Sequence, residues 1–349
     1  MATVKGSPKR TECTRQIRIS ERIESVRTKT IWRARVSIVT QTPLVSILVG
    51  FLNAEQFLEE TIASVFGQTL EDWQLILVDD GSSDGSSAIA RRHSKERPEK
   101  VIYLTHPGNR NRGVCASRNL ALNHARGRFI AILDADDVWL PEKLARQIEI
   151  LTTYSEVGMV FGAARYWRSW SNTVAPTARD YTPRLGIESD TIHHPPGLLR
   201  RCHPLGRAIA PCPSDLLLRK EVLLSINGFE EEFTGIYQMY EDQAFLAKVY
   251  LSTSVFAASE SWTLYRLHEG SCCHRVESSG NGLHVRDYYL TWLKNYLHTK
   301  GIRDIKTHRA LGRAQMLVQH PWVGGLANLP STIKEKTRNM IRRFQTYLA

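Results

Sequence analysis

Short apolar runs alternate with stretches of helical spacing through the first half of this chain. "PLVSILVGFLN", "WQLILVDDGSSDGSS", "KVIYLTH" and "FIAILDADDVWLP" each hold a block of Val, Ile, Leu and aromatic residues that ends in polar or glycine-bearing positions. The blocks are too short for helices and rich in strand formers, so they read as buried strands. Between the first two, Leu58, Ile62, Val65 and Phe66 recur at helical spacing, with Asn53 as the expected cap and Gln56 as its capping-box partner. "SSAIARRHSKERP" reads as a helix stopped at Pro98, and "GVCASRNLALNHARG" as one closed by Gly127. The alternation predicts an α/β, Rossmann-like domain whose mostly parallel central sheet is covered by helices on both faces.

In such sheets ligands sit beyond the carboxyl ends of the strands. Two of those ends carry clustered acids: Asp79 and Asp80 in one, Asp134, Asp136 and Asp137 in the other. Like charges this close repel, and a divalent cation would remove the penalty. Carboxylate oxygens on a short tether suit Mg²⁺ or Mn²⁺, which share their sites with substrate phosphates. An acidic turn that caps the next helix, with Asp137 near its start and Pro141 in its first turn, is the alternative. Arg110, Arg112 and the helix start at Gly113 offer cations and exposed N–H groups to a phosphate. Together these features describe a pocket for a nucleoside diphosphate. No GxxxxGK[ST] occurs, and "GVCASRN" is not GxGxxG, which argues against P-loop and dinucleotide chemistry.

A hydrophobic share of 42% over 349 residues supports a sizeable core, and the net charge of +11 implies anionic company. Much of that charge lies at the ends. Residues 1–42 read as a basic, flexible arm without the apolar region of a signal peptide, and no stretch is long and apolar enough to span a membrane. The six cysteines include no CxxC pair, and Cys202, His203, Cys212 and "CCH" match no zinc spacing, so a reduced, cytoplasmic setting is expected. Residues 276–349 read as a helical extension. In its "STIKEKTRNMIRRFQTYL", Ile333, Met340, Ile341, Phe344 and Leu348 gather on one side, for packing on the domain or for peripheral contact with the inner face of a membrane.

Four blocks in order, "PLVSILVGFLNAEQFLEETIASVFGQT", "LILVDDGSSDGS", "NRGVCASRNLAL" and "GRFIAILDADDVWLPEKL", resemble the family 2 inverting glycosyltransferases. The resemblance covers roughly residues 43–271. It implies the nucleotide-diphospho-sugar transferase (GT-A) fold over residues 43–275, with a nucleotide-binding half at 43–140 and an acceptor and catalytic-base half at 141–275. It also implies that Asp79 and the turn around Phe51 hold the base, with Asn53, Glu55 and Asp80 beside them. Asp134 and Ala135 would meet the ribose, Arg118 and Asn119 the diphosphate, and Asp136 the metal. Gly50 and Leu52 stand where the family usually has Pro and an aromatic, which leaves the base identity open.

Inverting transfer needs a carboxylate to take the acceptor's proton. Glu241 and Asp242 precede Phe245, Leu246 and Val249 and so fall in a helix's first turn, where the dipole favours the charged form. The pair resembles the family's motif, which implies Asp242 as base and Glu241 as helper. Beyond an expected strand at Ser261–Tyr265, Arg266 and His268 resemble its closing segment, with His268 in reach of the metal. Trp139 and Tyr240 are aromatic candidates for a sugar face. The irregular text from Trp167 to Pro213 is expected to serve the acceptor.

The implied function is metal-assisted transfer from a nucleotide sugar, first a UDP-sugar, to a glycan or lipid-linked hydroxyl in surface polysaccharide synthesis. A basic nucleic-acid binder is the contrasting reading, and it lacks the expected recognition modules, so no nucleic-acid partner is expected. A nucleotidyltransferase would need a Gly-rich basic loop after the first strand, which "VGFLNAEQF" lacks. An inactive relative that only binds nucleotide sugar is the remaining alternative.

Overall fold

The structure is a computed structural model, and it describes residues 42–171 and 179–321. The basic arm at 1–41 and the tail segment at 331–348 lie outside the described residues.

Eight strands form the main sheet: β1 (Val45–Phe51), β2 (Trp73–Asp79), β3 (Val101–Thr105), β4 (Phe129–Ile132), β6 (Val157–Phe161), β8 (Thr191–His193), β9 (Leu217–Arg219) and β10 (Ser254–Ala257), in the order β3-β2-β1-β4-β9-β6-β10-β8. The β3-β2-β1-β4 half is parallel, as the alternation of patterns requires. Its crossovers run through α1 (Leu58–Phe66), α2 (Ser86–Glu96) and α3 (Val114–His124). The other half is mixed: β9 pairs antiparallel with both β4 and β6, and β8 antiparallel with β10. A small sheet, β5 (Val138–Trp139), β11 (Thr263–Arg266) and β7 (Arg165–Trp167), lies beside the acidic end of β4.

Both faces of the main sheet are buried. Leu48, Ile76, Val78, Ile130 and Ile132 enter one core, and Ile47, Val49, Leu75, Leu77 and Ala131 the other. Two-sided burial is why these strands read as unbroken apolar runs rather than alternating ones. The parallel register aligns Phe51 with Asp79 and Asp79 with Thr105, so strand ends and their loops form one rim.

Several local expectations are corrected. Asn53 does not cap α1: it has φ 50°, its Oδ1 accepts from the Ser83 N–H at 2.8 Å, and α1 begins at Leu58 without a side-chain cap. Asp137 and Pro141 do not start the next helix, α4 (Lys143–Thr153), which begins after both. The strand expected at Ser261–Tyr265 is Thr263–Arg266. The irregular stretch contains β8 and α5 (Gly197–Arg201). Trp139 is buried with its indole N–H donating to the Ser214 carbonyl at 2.6 Å, and Tyr240 is buried with its hydroxyl bonded to His203 and Arg286, so neither ring is offered to a sugar.

Further on, α6 (Lys220–Ser225) and α7 (Glu241–Ser252) precede α8 (Cys272–Ser278), α9 (Gly282–Thr299) and α10 (Ile305–Gln319). Helix α9, which carries "VRDYYLTWLKNYL", buries Val285, Tyr289, Leu290, Leu293 and Leu297 against the domain. Among the described residues no helix is long and apolar enough to cross a membrane.

Gly127 is not the helix stop either, because α3 ends at His124. It is a close approach: its N–H donates to Ser46 Oγ at 2.7 Å, and an added Cβ would lie 2.5 Å from the Ser46 nitrogen. Gly127→Ala should therefore destabilise the fold by about 1–3 kcal/mol in denaturant unfolding. In α10, a Cβ on Gly312 meets nothing within 4 Å, and Gly312→Ala should stabilise by about 0.5–1 kcal/mol.

Candidate active site

A cleft of about 280 Å³ opens along the rim, lined by Phe51, Leu52, Asn53, Asp80, Ser117, Asp134, Ala135, Asp136 and His268, among others. The two acids after β2 serve differently. Asp79 is fully buried and lies behind the cleft wall, accepting from the N–H groups of Gly81 (3.2 Å) and Ser82 (2.8 Å) and from the hydroxyls of Ser87 and Tyr103. Burial alone would raise its pKa, and those donors hold it below the ordinary value. Asp80 faces the cleft while tying down the 110–113 loop through the N–H groups of Arg112 (2.7 Å) and Gly113 (2.9 Å). Of the two, Asp80 is the one that lines the cleft. Glu55 is absent from the cleft wall and accepts from the Gly85 N–H at 2.9 Å.

The three acids after β4 are also divided. Asp137 is a clasp: its carboxylate accepts from Ser214 Oγ at 2.5 Å and from the Arg266 N–H at 2.9 Å. Burial first, then the charges of Asp136 and Asp134, push its pKa well up. Asp134 is raised by burial, against the pull of Arg118 at 2.7 Å. Asp136 is paired at the cleft itself. Its Oδ2 lies 2.9 Å from His268 Nε2 across the cleft wall.

Arg118 is expected at the diphosphate, and the structure places it elsewhere. It is buried, with one guanidinium nitrogen 2.7 Å from Asp134 and the other 2.6 Å from Glu241. Asn119 also turns from the cleft, its amide accepting from the Phe229 N–H at 2.9 Å and donating to the Phe229 carbonyl at 3.0 Å. Glu241 and Asp242 open α7, as their spacing predicts. The dipole does not keep Asp242 an ordinary acid: burial, then the neighbouring Glu241 charge, raise its pKa to about 7. Desolvation outweighs the first-turn dipole here.

Gln238, Ser271 and Arg275 also line the cleft. Gln238 comes from the 3-10 turn Gly235–Tyr240 and Ser271 and Arg275 from the start of α8, so only the fold brings them to the acids. A second cavity of about 990 Å³ adjoins it, sharing Asn53, Phe57 and His268 and adding Gln56, Trp170 and Tyr265.

Among the described residues no three His, Cys, Asp or Glu side chains converge as a protein-only metal cage, which also leaves the Cys202–His203–Cys212 grouping without a site. The facing Asp136 and His268 fit the other mode, in which one or two protein ligands hold Mg²⁺ or Mn²⁺ and phosphates and waters complete the shell.

A sequence profile described as "Glycosyl transferase family 2" matches residues 46–223, about half of the chain. The chain belongs to glycosyl transferase family 2. A putative teichuronic acid biosynthesis glycosyltransferase, TuaG of Bacillus subtilis, is 39% identical over 31% of this chain and 42% of its own length. The Escherichia coli UDP-Glc:alpha-D-GlcNAc-diphosphoundecaprenol beta-1,3-glucosyltransferase WfgD is 40% identical over 31% of this chain and 41% of its own. The chain thus spans less than half the length of these relatives. Among solved structures, S. aureus TarS 1-349 in complex with UDP superposes with TM-score 0.56 at 17% identity, covering 84% of this chain and 77% of that one. Mannosyltransferase PcManGT from Pyrobaculum calidifontis, with GDP-Man and Mn²⁺, gives TM-score 0.51 at 18% identity over 88% and 83%. The fold of this family 2 member is GT-A.

Removing Arg118 would leave Glu241 buried without its cation. Arg118→Met should cost roughly 3–5 kcal/mol in unfolding free energy, and adding Glu241→Gln should recover part of that loss.

Proposed function

We propose that this chain is an inverting, metal-assisted glycosyltransferase that moves a sugar from a nucleotide-diphosphate donor, a UDP-sugar first, to a hydroxyl of a glycan or lipid-linked acceptor. The observation that carries this reading is the Arg118 bridge. One guanidinium joins Asp134 of the acidic turn to Glu241, the neighbour of Asp242, so the donor side and the candidate base are held as one unit.

In this reading the donor lies in the cleft, with Asp80 and the Phe51–Asn53 turn at the nucleoside and Asp134 with Ala135 at the ribose. Asp136 and His268 would hold a divalent ion beside the diphosphate. When bound, the ion supplies charge stabilisation to the leaving diphosphate. Asp242 takes the acceptor proton as the acceptor oxygen attacks the anomeric carbon from the face opposite the leaving group, which inverts the configuration. A pKa of about 7 suits a base that must be free at neutral pH yet able to hold a proton.

A relative assigned to teichuronic acid biosynthesis, and another that glucosylates a lipid-linked sugar, support a role in surface or extracellular polysaccharide synthesis. A lipid-linked acceptor would bring the chain, from the cytoplasm, to the inner face of the membrane as a peripheral protein.

A melting screen of UDP-, GDP- and dTDP-sugars with and without Mn²⁺ tests the donor. The matching pair should stabilise by about 2.7 kcal/mol at a hundredfold excess over Kd, and no shift with any of them would remove the reading. Asp136→Asn and Asp242→Asn should each abolish transfer in a donor-consumption assay. With the wild-type chain, kcat should climb with pH through about 7 as Asp242 loses its proton. Its folded pKa lies above the ordinary 3.8, so the native state binds the extra proton and Asp242's contribution to stability falls as pH rises from about 4 to 7. Asp242→Asn should accordingly melt no lower than wild type at pH 8.

A further inference from the structure

Arg266 ends β11, and its side chain is 3% exposed. Three rings surround the guanidinium, Trp167 at 4.5 Å, Phe57 at 4.8 Å and Trp170 at 5.1 Å. Its Nε donates to the Asp136 carbonyl at 2.6 Å, its main-chain N–H to the Asp137 carboxylate at 2.9 Å, and Nη2 reaches Glu60 at 2.6 Å. Two of these bonds grip the acidic turn from above. The Asp136 carboxylate is left facing His268, two residues along the same segment, and the His268 ring packs 4.9 Å from Phe57. Phe57 thus touches both the arginine and the histidine.

A buried guanidinium needs substitutes for water at its edge and on its two faces. Here oxygens take the donors, and the guanidinium carbon lies over three aromatic rings, whose negative quadrupole attracts the cation. Lysine could keep the charge, but it has neither a planar face to stack nor a fork of fixed geometry. A residue that only secured β11 would not need its donors aimed at the main chain of Asp136. We propose that Arg266 is a positioning residue of the cation site: boxed by Phe57, Trp167 and Trp170, it fixes the Asp136 main chain so that the Asp136 carboxylate and the His268 imidazole converge on one divalent ion. It touches no substrate and acts through those two side chains. This inference rests on the metal-assisted reading above.

The test is Mn²⁺ binding to the full chain in saturating UDP, followed by calorimetry and by the electron paramagnetic resonance of the bound ion. Arg266→Lys should weaken Mn²⁺ by ~10-fold or more, as for other outer residues that orient metal ligands, and should broaden the bound-ion spectrum. UDP binding without metal should be unchanged. A lower melting temperature with wild-type Mn²⁺ affinity and spectrum would mean that Arg266 is structural only, and the proposal would fall. If Arg266→Lys does not fold, Trp170→Leu, which opens one wall of the box, decides: weaker Mn²⁺ binding supports the proposal and unchanged binding overturns it. Absence of Mn²⁺ binding by the unaltered chain would overturn the metal reading and this proposal together, whereas unchanged binding in Arg266→Lys overturns this proposal alone.

Discussion

Repulsion among Asp134, Asp136 and Asp137 is the constraint around which the rim of the sheet is organised. Three carboxylates within four positions cannot all remain charged at the mouth of a buried strand unless each has its own partner. The fold separates them. Asp137 turns inward to Ser214 and the Arg266 main chain, Asp134 turns to Arg118, and Asp136 is left facing His268 at the cleft. A buried structural clasp and an acid that faces the cleft therefore coexist in one turn.

Two arginines link that turn to the rest of the molecule. Arg118 ties it to Glu241, so the start of α7 cannot shift without disturbing a buried ion pair. Breaking such a pair is costly because the abandoned charge has no water to turn to. Arg266 ties the same turn to β11 and, through Glu60, to the first turn of α1. The cleft is thus framed by segments some 200 residues apart in the chain, and its geometry is set by charge pairing as much as by packing.

The elements of the parallel half were legible because two-sided burial leaves an unbroken apolar signature in each strand. Helix α7 was legible because its acids precede a hydrophobic run. Gly127 and Asn53 were misread for a shared reason. Each residue type has a common local use, as a helix stop or a helix cap, and here each answers a neighbour far away in sequence, Ser46 for one and Ser83 for the other. The mixed half of the sheet was harder still. Strand β9 has three residues, too few to show a period, and it exists because the space between β4 and β6 accepts it.

The sequence by itself determined the alternation of strands and helices, the acids at the strand ends, and the family, because those depend on local order and on residue type. Only the tertiary structure decided which acids line the cleft, that Arg118 bridges Asp134 and Glu241, that burial lifts the Asp242 pKa to about 7, and that three rings surround Arg266. Those outcomes depend on desolvation and on which charges meet across space. Neither quantity is written in the spacing of residues along a chain.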